Sequence, residues 1–526
     1  METRRLEVFQ QTEGRCLMRL FDAQDRLVDE RDLDATALQV LLNESEQRYH
    51  SGRGSLAALG QRLYAWLNPT EAPWLDRLQQ DHRDLCLHIT VAERLRHLPW
   101  ELLQDRGGFL CGDPNRPFAP VRRVHDRVLA DSEPRNRPLR ILFMASSPLD
   151  VQPVLDFEHE EALILEATRR AGLDLVVEES GSLEGLADWV DAHDARYFDV
   201  VHLTGHAEVE GDRPVFIFEN RIGHAQRAGA EDIARVFQAS NLFPRLLFLS
   251  GCLTGVAPGQ GKLPSLCEKL VEAGVPAVLG WALPVGDHAA SQAAEVLYER
   301  LASGVGLDLA VAHARRHLHE EDVASWHLLR LYGDATPLTA LVTPRNHPSR
   351  ASRKRAPAQG AFLDAGGKVE VCARERFVGR RRELQKALRV LGARYGEEDH
   401  AEGVLLQGMG GLGKSSLAAR LCDRLASTHE PWVWVGAVDE AEVLRRFRDR
   451  IADPDLHRVL EERKTFARAA PAAGVRELAR RAARPVCVRR LRTEPGARRR
   501  GGAVAGPQGT GGAHGRPRRD SRERER

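Results

Sequence analysis

Up to about residue 340, apolar residues fall in short unbroken runs separated by amphipathic stretches. Leu139-Arg-Ile-Leu-Phe-Met-Ala145 is one such run, stopped at Ser146-Ser147-Pro148. The pattern predicts a helix over 157–171, a strand over 173–177 and a helix over 183–192. A strand ending at His206, an extended segment over 214–218 and a helix over 231–239 come next. A strand ending at Cys252, a helix over 263–273, a strand over 277–281 and a long Ala-rich helix opened by Asp287 complete the series. Continuous apolar strands between helices are buried on both faces. The expected fold class is therefore α/β, a mostly parallel sheet with helices on both sides. Such sheets place their sites outside the carboxyl ends of the strands.

Two of the runs end in reactive side chains. They are Asp199-Val-Val-His-Leu-Thr-Gly-His206 and Arg245-Leu-Leu-Phe-Leu-Ser-Gly-Cys252. Either residue alone reads as packing, because free cysteine is among the most buried residue types. Together, at two strand ends, they read as a nucleophile and its base. A thiol is largely neutral at pH 7, and a nearby imidazole raises the thiolate fraction. Gly205 and Gly251 would let a substrate backbone come close. The N–H groups of Cys252 and of Ala207, which follows the histidine, are the candidate oxyanion donors. His202 shares the face of His206 and reads as a packing histidine.

Past residue 340 the pattern breaks. Residues 341–375 are polar, basic and Pro-interrupted around Arg345-Asn-His-Pro-Ser-Arg-Ala-Ser-Arg-Lys-Arg-Ala-Pro357, a solvated flexible linker rather than a nucleic-acid contact. A second domain is expected over 376–485, with a helix over 381–390, a strand over 403–407, a helix over 415–425 and a strand over 432–435. Gly408-Met-Gly410-Gly411-Leu-Gly413-Lys414-Ser415 fits G-x-x-x-x-G-K-S/T between that strand and that helix, the context a phosphate-binding loop needs. Loop N–H groups would cradle phosphates, Lys414 would reach the β- and γ-phosphates, and Ser415 would ligate Mg²⁺. Ser416 completes the expected ATP/ADP set. Residues 486–526 are almost all Arg, Gly, Ala, Pro and Glu, a composition that cannot bury a core and is expected to be disordered.

Composition adds little. The chain has 526 residues and a formal net charge of +1, which selects no partner class. Its eight cysteines show no CxxC pairing or metal-ligand spacing, which argues for reduced thiols in the cytoplasm. The N-terminus lacks the apolar core of a signal peptide, and no run is long enough to span a bilayer.

Five blocks, in order, give residues 1–340 a resemblance to the CHAT domain, a caspase-like branch of cysteine peptidases related to separase. They are Arg96-His-Leu-Pro-Trp-Glu-Leu-Leu103, Val201-His-Leu-Thr-Gly-His206, Leu249-Ser-Gly-Cys-Leu-Thr-Gly255, Gly280-Trp281 with Asp287, and Ser325-Trp-His-Leu-Leu-Arg-Leu-Tyr-Gly-Asp334. The chain departs from the family at Ala207, where glycine is usual. The resemblance implies Cys252 as nucleophile and His206 as general base, with a protein substrate and no peptidase cofactor. Asp287 would be either an acidic wall of the substrate pocket or the N-cap of its helix. The loop at 408–416 and Arg376-Phe-Val-Gly-Arg-Arg-Arg-Glu-Leu384 resemble STAND and NB-ARC signalling ATPases, which act as nucleotide switches that oligomerise.

A P-loop ATPase also needs an acid at the end of a later strand, and no apolar strand ending in Asp appears near Arg484–Gly496. Codons allowed for Val486–Gly496, read one base later, give Ser-Val-Phe-Val-Asp-Phe-Glu-Gln-Asn-Leu, so the tail is expected to be a frameshifted reading. The expectation is a caspase-like peptidase effector joined to a truncated, poorly hydrolysing ATPase in bacterial defence or signalling, with self-association or a sensor partner. The rival is an inert caspase-like interaction module.

Overall fold

The computed structural model describes residues 1–348, 361–363, 369–392, 404–426, 431–434, 445 and 486–489, apart from 11–14, 52–54, 70, 72, 82–83, 130–132, 154, 156, 170, 195, 239–242, 252–264 and 284. Cys252, residues 349–360 and 364–368 of the expected linker, and residues 490–526 lie outside them.

The N-terminal part supplies β1 (Glu2–Gln10), β2 (Cys16–Phe21), β3 (Leu27–Leu33), α1 (Ala35–Ser51), α2 (Leu56–Leu67), α3 (Trp74–Asp81), β4 (Leu85–Val91) and the single turn α4 (Glu93–Arg96). A short hairpin, β5 (Gln104–Asp105) and β6 (Gly108–Phe109), leads to β7 (Phe118–Arg123). Then come β8 (Arg140–Ala145), α5 (Phe157–Thr168), β9 (Asp174–Glu178), α6 (Leu183–Asp191), β10 (Val200–Glu210), β11 (Arg213–Glu219), β12 (Ala225–Ala228) and α7 (Ala230–Gln238). They are followed by β13 (Leu246–Gly251), α8 (Leu266–Glu272), β14 (Ala277–Trp281), α9 (Asp287–Ala302), α10 (Leu307–Glu320) and β15 (Leu329–Gly333). The elements expected between 139 and 302 are present near their expected bounds, but β10 does not end at His206: it continues to Glu210 as the antiparallel partner of β11. The first 130 residues add strands that no periodicity singled out.

All these strands except the β5–β6 hairpin join one 13-stranded sheet. From β10 its order runs β13, β14, β15, β7, β4, β1, β2, β3 on one side. On the other side, β8 and then β9 pair with the first half of β10, while β11 and β12 continue from its second half. The centre, β9-β8-β10-β13-β14, is parallel throughout. Period-two alternation splits β10 cleanly. Val200 and same-face neighbours in β8 and β13, such as Phe143 and Phe248, join the core beneath α5, α9 and α10. Val201, Leu203 and Leu249 join the core beneath α6, α7 and α8. Helices therefore cover both faces, as the unbroken apolar strands require. Local capping sets helix starts: Ser182 caps α6, and Ser265 with Glu268 forms a reciprocal capping box on α8.

The expected break at 340 falls too early. Leu341 and Val342 are buried in the main core, and Arg345 donates to the Ala171 carbonyl. Farther on, β16 (Ala361–Phe362) pairs with β17 (Glu370–Val371), and α11 (Arg381–Gly392) packs on α12 (Lys414–Leu425) through Leu384, Leu388, Leu417 and Leu421. Residues Met1–Val433 and Glu477–Cys487 form one compact unit, and Trp434–Arg476 with Val488–Arg526 form a second, mostly outside the described residues. The strand expected over 403–407 is not formed: residues 404–409 are irregular, and Leu405 is 76% exposed. Among the described residues no strand pairs with this apolar run. The expected disorder from 486 is interrupted at its start, since Val486–Arg489 form a strand.

Candidate active site at the carboxyl ends of the central strands

β10 and β13 pair in parallel register, Thr204 against Ser250 and Gly205 against Gly251. His206 and Cys252 are the next residues of the two chains. Neighbouring strands lie about 4.8 Å apart, so the register brings Gly205 and Gly251 side by side towards the end where such sheets hold ligands. The Thr204 hydroxyl donates to the Ser250 carbonyl at 3.1 Å and ties the strand ends together.

His206 is half-buried, and its Nε2 lies 2.9 Å from the carbonyl oxygen of Pro153. A carbonyl can only accept, so Nε2 carries the proton and Nδ1 is left with its lone pair. That is the tautomer a base needs. Sequence reasoning missed Pro153, because nothing in a loop sequence announces which carbonyl will meet a distant ring. The loop itself is anchored: Ser146 N–H donates to the Thr204 carbonyl at 2.8 Å, and Ser146 Oγ donates to Ile217 O at 2.8 Å.

His202 is a packing residue, as its position implied. It is 1% exposed, stacks on Phe248 with ring centroids 4.4 Å apart, and pairs through Nδ1 with the Tyr298 hydroxyl at 2.7 Å. Burial pushes its pKa down to about 3, so it stays neutral. Gly205 serves packing rather than a substrate. A Cβ there would come within 2.9 Å of both the Phe216 ring and the Ser146 carbonyl. Ala207 is half-buried and stands opposite Phe216 in the β10–β11 pair. Asp287 is the first residue of α9, and Gly286 occupies the N-cap position, so the N-cap reading of Asp287 is corrected.

The Trp-Glu block has a structural reason. Glu101 is fully buried and holds Arg122 by two hydrogen bonds of 2.6 and 2.9 Å, with Arg315 at 3.4 Å. It joins the segment before β5 to β7 and α10 and lies in none of the site's contacts. Burial pushes its pKa up, but the charge and hydrogen bonds of Arg122, with Arg315 and Arg330, prevail and bring it down to about 2.

In the glycine-rich loop, Gly408, Gly411 and Gly413 have φ of 154°, 80° and 74°, backbone that side-chain-bearing residues rarely adopt. Gly410 is exposed between them. α12 starts at Lys414 with no side-chain cap on its first N–H groups. Lys414 Nζ donates to the Met409 carbonyl at 2.5 Å, and Ser416 Oγ accepts from Cys372 N–H at 2.9 Å. The Ser416 oxygen is therefore engaged with the β17 flank, while Ser415 lies in the first turn of α12. Among the described residues no group of side chains is arranged to hold a metal ion, and no helix is long and apolar enough to cross a membrane.

The fold is α/β, a mostly parallel sheet with helices on both faces, with His206 on β10 and Cys252 directly after β13 in sequence. The CHAT domain model matches residues 57–444, most of the chain, and the chain belongs to that family. The match runs past residue 340 and through α11 and α12. No curated protein matches the chain. Two crystal structures of the Saccharomyces cerevisiae separase–securin complex are similar to it at 12% identity, with TM-scores of 0.37 and 0.36. Each alignment covers 64% of this chain and 30% of separase, so the chain spans less than a third of that protein.

Proposed function

We propose that the chain is a cysteine endopeptidase acting on protein substrates through a His206–Cys252 dyad. The register of Gly205 against Gly251 supports this reading, because His206 and Cys252 directly follow those two residues in sequence. The thiol loses its proton to Nδ1 and the thiolate attacks the peptide carbonyl. The N–H groups of Ala207 and Cys252 receive the oxyanion. The imidazolium then protonates the leaving amine, and water releases the acyl group. Asp287 would line the pocket for a basic residue before the cut. The test needs no known substrate: the alkylation rate of Cys252 against pH, read by mass spectrometry. Half-maximal labelling is expected below the ordinary thiol pKa of about 8.5 and should move up in His206→Ala. Slow labelling in both proteins, no faster than that of Cys372, would leave an inert interaction module as the better reading.

We also propose that the loop over 408–413 binds ATP or ADP and that this module controls the peptidase, in bacterial defence or signalling, through self-association or a sensor partner. The positive-φ glycines and the uncapped helix start fit a phosphate. Lys414, Ser415 and Ser416 would hold the nucleotide and its Mg²⁺, which supplies charge neutralisation when bound. Lys414→Ala is expected to weaken Mg–ATP binding by at least about tenfold in calorimetry, the worth of one charge-assisted contact. Equal affinity in the two proteins would reject the site.

A further inference from the structure

Helix α11 buries two polar side chains, Arg381 and Gln385, in the unit that contains β10. Arg381 is 1% exposed and reaches both ends of the segment that joins β8 to α5. At the start of that segment, its guanidinium donates to the carbonyl of Ala145, the last residue of β8. At the end, it lies over the ring of Phe157, the first residue of α5, 4.6 Å from the centroid. Between these contacts it pairs with Glu219, itself 1% exposed, at the end of β11.

Glu219 passes the contact on. One oxygen accepts from Ser147 N–H at 2.9 Å, and the other accepts from Gln385 Nε2 at 2.7 Å. Gln385 also donates to the Ser147 carbonyl at 3.3 Å. Ser147 Oγ accepts from Leu155 N–H at 3.1 Å, which folds the segment back on itself. Within that fold stands Pro153, whose carbonyl meets His206 Nε2. Contacts therefore run from α11 through Glu219 and Ser147 to Leu155, two residues along the chain from Pro153, whose carbonyl meets the imidazole.

We infer that Arg381 and Gln385 are positioning residues for His206. They fix the 146–156 segment so that the Pro153 carbonyl selects the Nε2–H tautomer and holds the ring plane. The inference rests on His206 being the base for its catalytic meaning, but the positioning of the ring stands apart from it. Alternatives within the geometry are few. Simple docking of α11 would need no polar group to reach Ala145, Ser147 and Phe157 at once, and the apolar contacts of α11 go instead to α12.

The test uses the full chain. In wild type, His206 is expected to give a hydrogen-bonded Nε2–H resonance that exchanges slowly. In Arg381→Met and in the milder Gln385→Leu, this resonance should broaden or vanish while the Tyr298-bound His202 signals stay in place. Cys252 alkylation at pH 7 should fall roughly tenfold to a hundredfold, the scale on which remote misplacement acts. In a background of His206→Ala, neither substitution should lower the rate further. A merely structural role would give equal losses with and without the imidazole. An unchanged His206 resonance in folded Gln385→Leu and Arg381→Met would overturn the inference. If His206→Ala alone leaves labelling unchanged, the dyad reading falls, and the resonance still decides whether α11 positions the ring.

Discussion

His206→Ala is expected to lower kcat/KM for peptide hydrolysis by about a thousandfold to ten-thousandfold, the upper range for a general base that also orients its nucleophile. The size follows from the site. The ring is placed by strand register on one side and by the Pro153 carbonyl at 2.9 Å on the other, so in the proposed mechanism its removal takes away both the base and the later acid. Cys252→Ala should abolish the acyl-enzyme altogether, and the double variant should be no worse than Cys252→Ala, because the two act as a unit. Progress curves on a peptide library, with active enzyme counted by thiol labelling, give the comparison. A His206→Ala enzyme within tenfold of wild type would place the base elsewhere. His202→Asn is the control. Its ring is buried and neutral with a pKa near 3, so its replacement should act on stability and leave the pH profile of turnover in place.

Glu101→Gln carries the largest expected change in stability, about 3–5 kcal/mol, because it strips a fully buried pair of arginines of their counter-charge. Arg122 and Arg315 are both 0% exposed, and neither can move to water without opening β7 or α10. The pH dependence has a definite sign. The folded pKa of Glu101 is about 2, against an ordinary 4.5, so the unfolded chain takes up its proton first as pH falls. Its contribution is complete above about pH 4.5 and is lost progressively as pH drops toward 2. At 1.36 kcal/mol per unit the shift alone corresponds to roughly 3 kcal/mol. Urea melts between pH 3 and 7 should show the wild-type acid slope flattened in the variant. Equal slopes would show that the charge of Glu101 is not what the two arginines require.

The sheet centre was legible because it obeys two simple rules. Val200 to Gly205 and Leu246 to Gly251 are unbroken apolar strands, and both faces of such strands must be covered. The same two segments marked His206 and Cys252, since a reactive side chain directly after an apolar run is easy to see. His202 was legible as packing for the same reason, being two residues from Val200 on one face. Pro153, Arg381 and Glu219 were not legible. Each acts through a contact between segments far apart in sequence, and no local period records which carbonyl or carboxylate a side chain will meet. The expected strand at 403–407 failed from the opposite cause. Its residues have strand-forming types, but among the described residues no strand pairs with it, so intrinsic preference alone did not decide. Glu101 was visible within its block but silent about purpose until its two arginines, from β7 and α10, stood around it.

The burial of Arg381 and Arg420 against Glu219 and Glu179 has a consequence for how this protein can be divided. Each carboxylate is at most 2% exposed and is paired with a guanidinium from the later segment. Cutting the chain near residue 340 would not release a tidy catalytic half. It would uncover two acidic wells shaped for arginine, and a fragment so exposed would attract basic peptides by surface charge alone. Affinity for such peptides in the shortened form would then report the missing lid, and specificity has to be measured on the chain that supplies its own arginines.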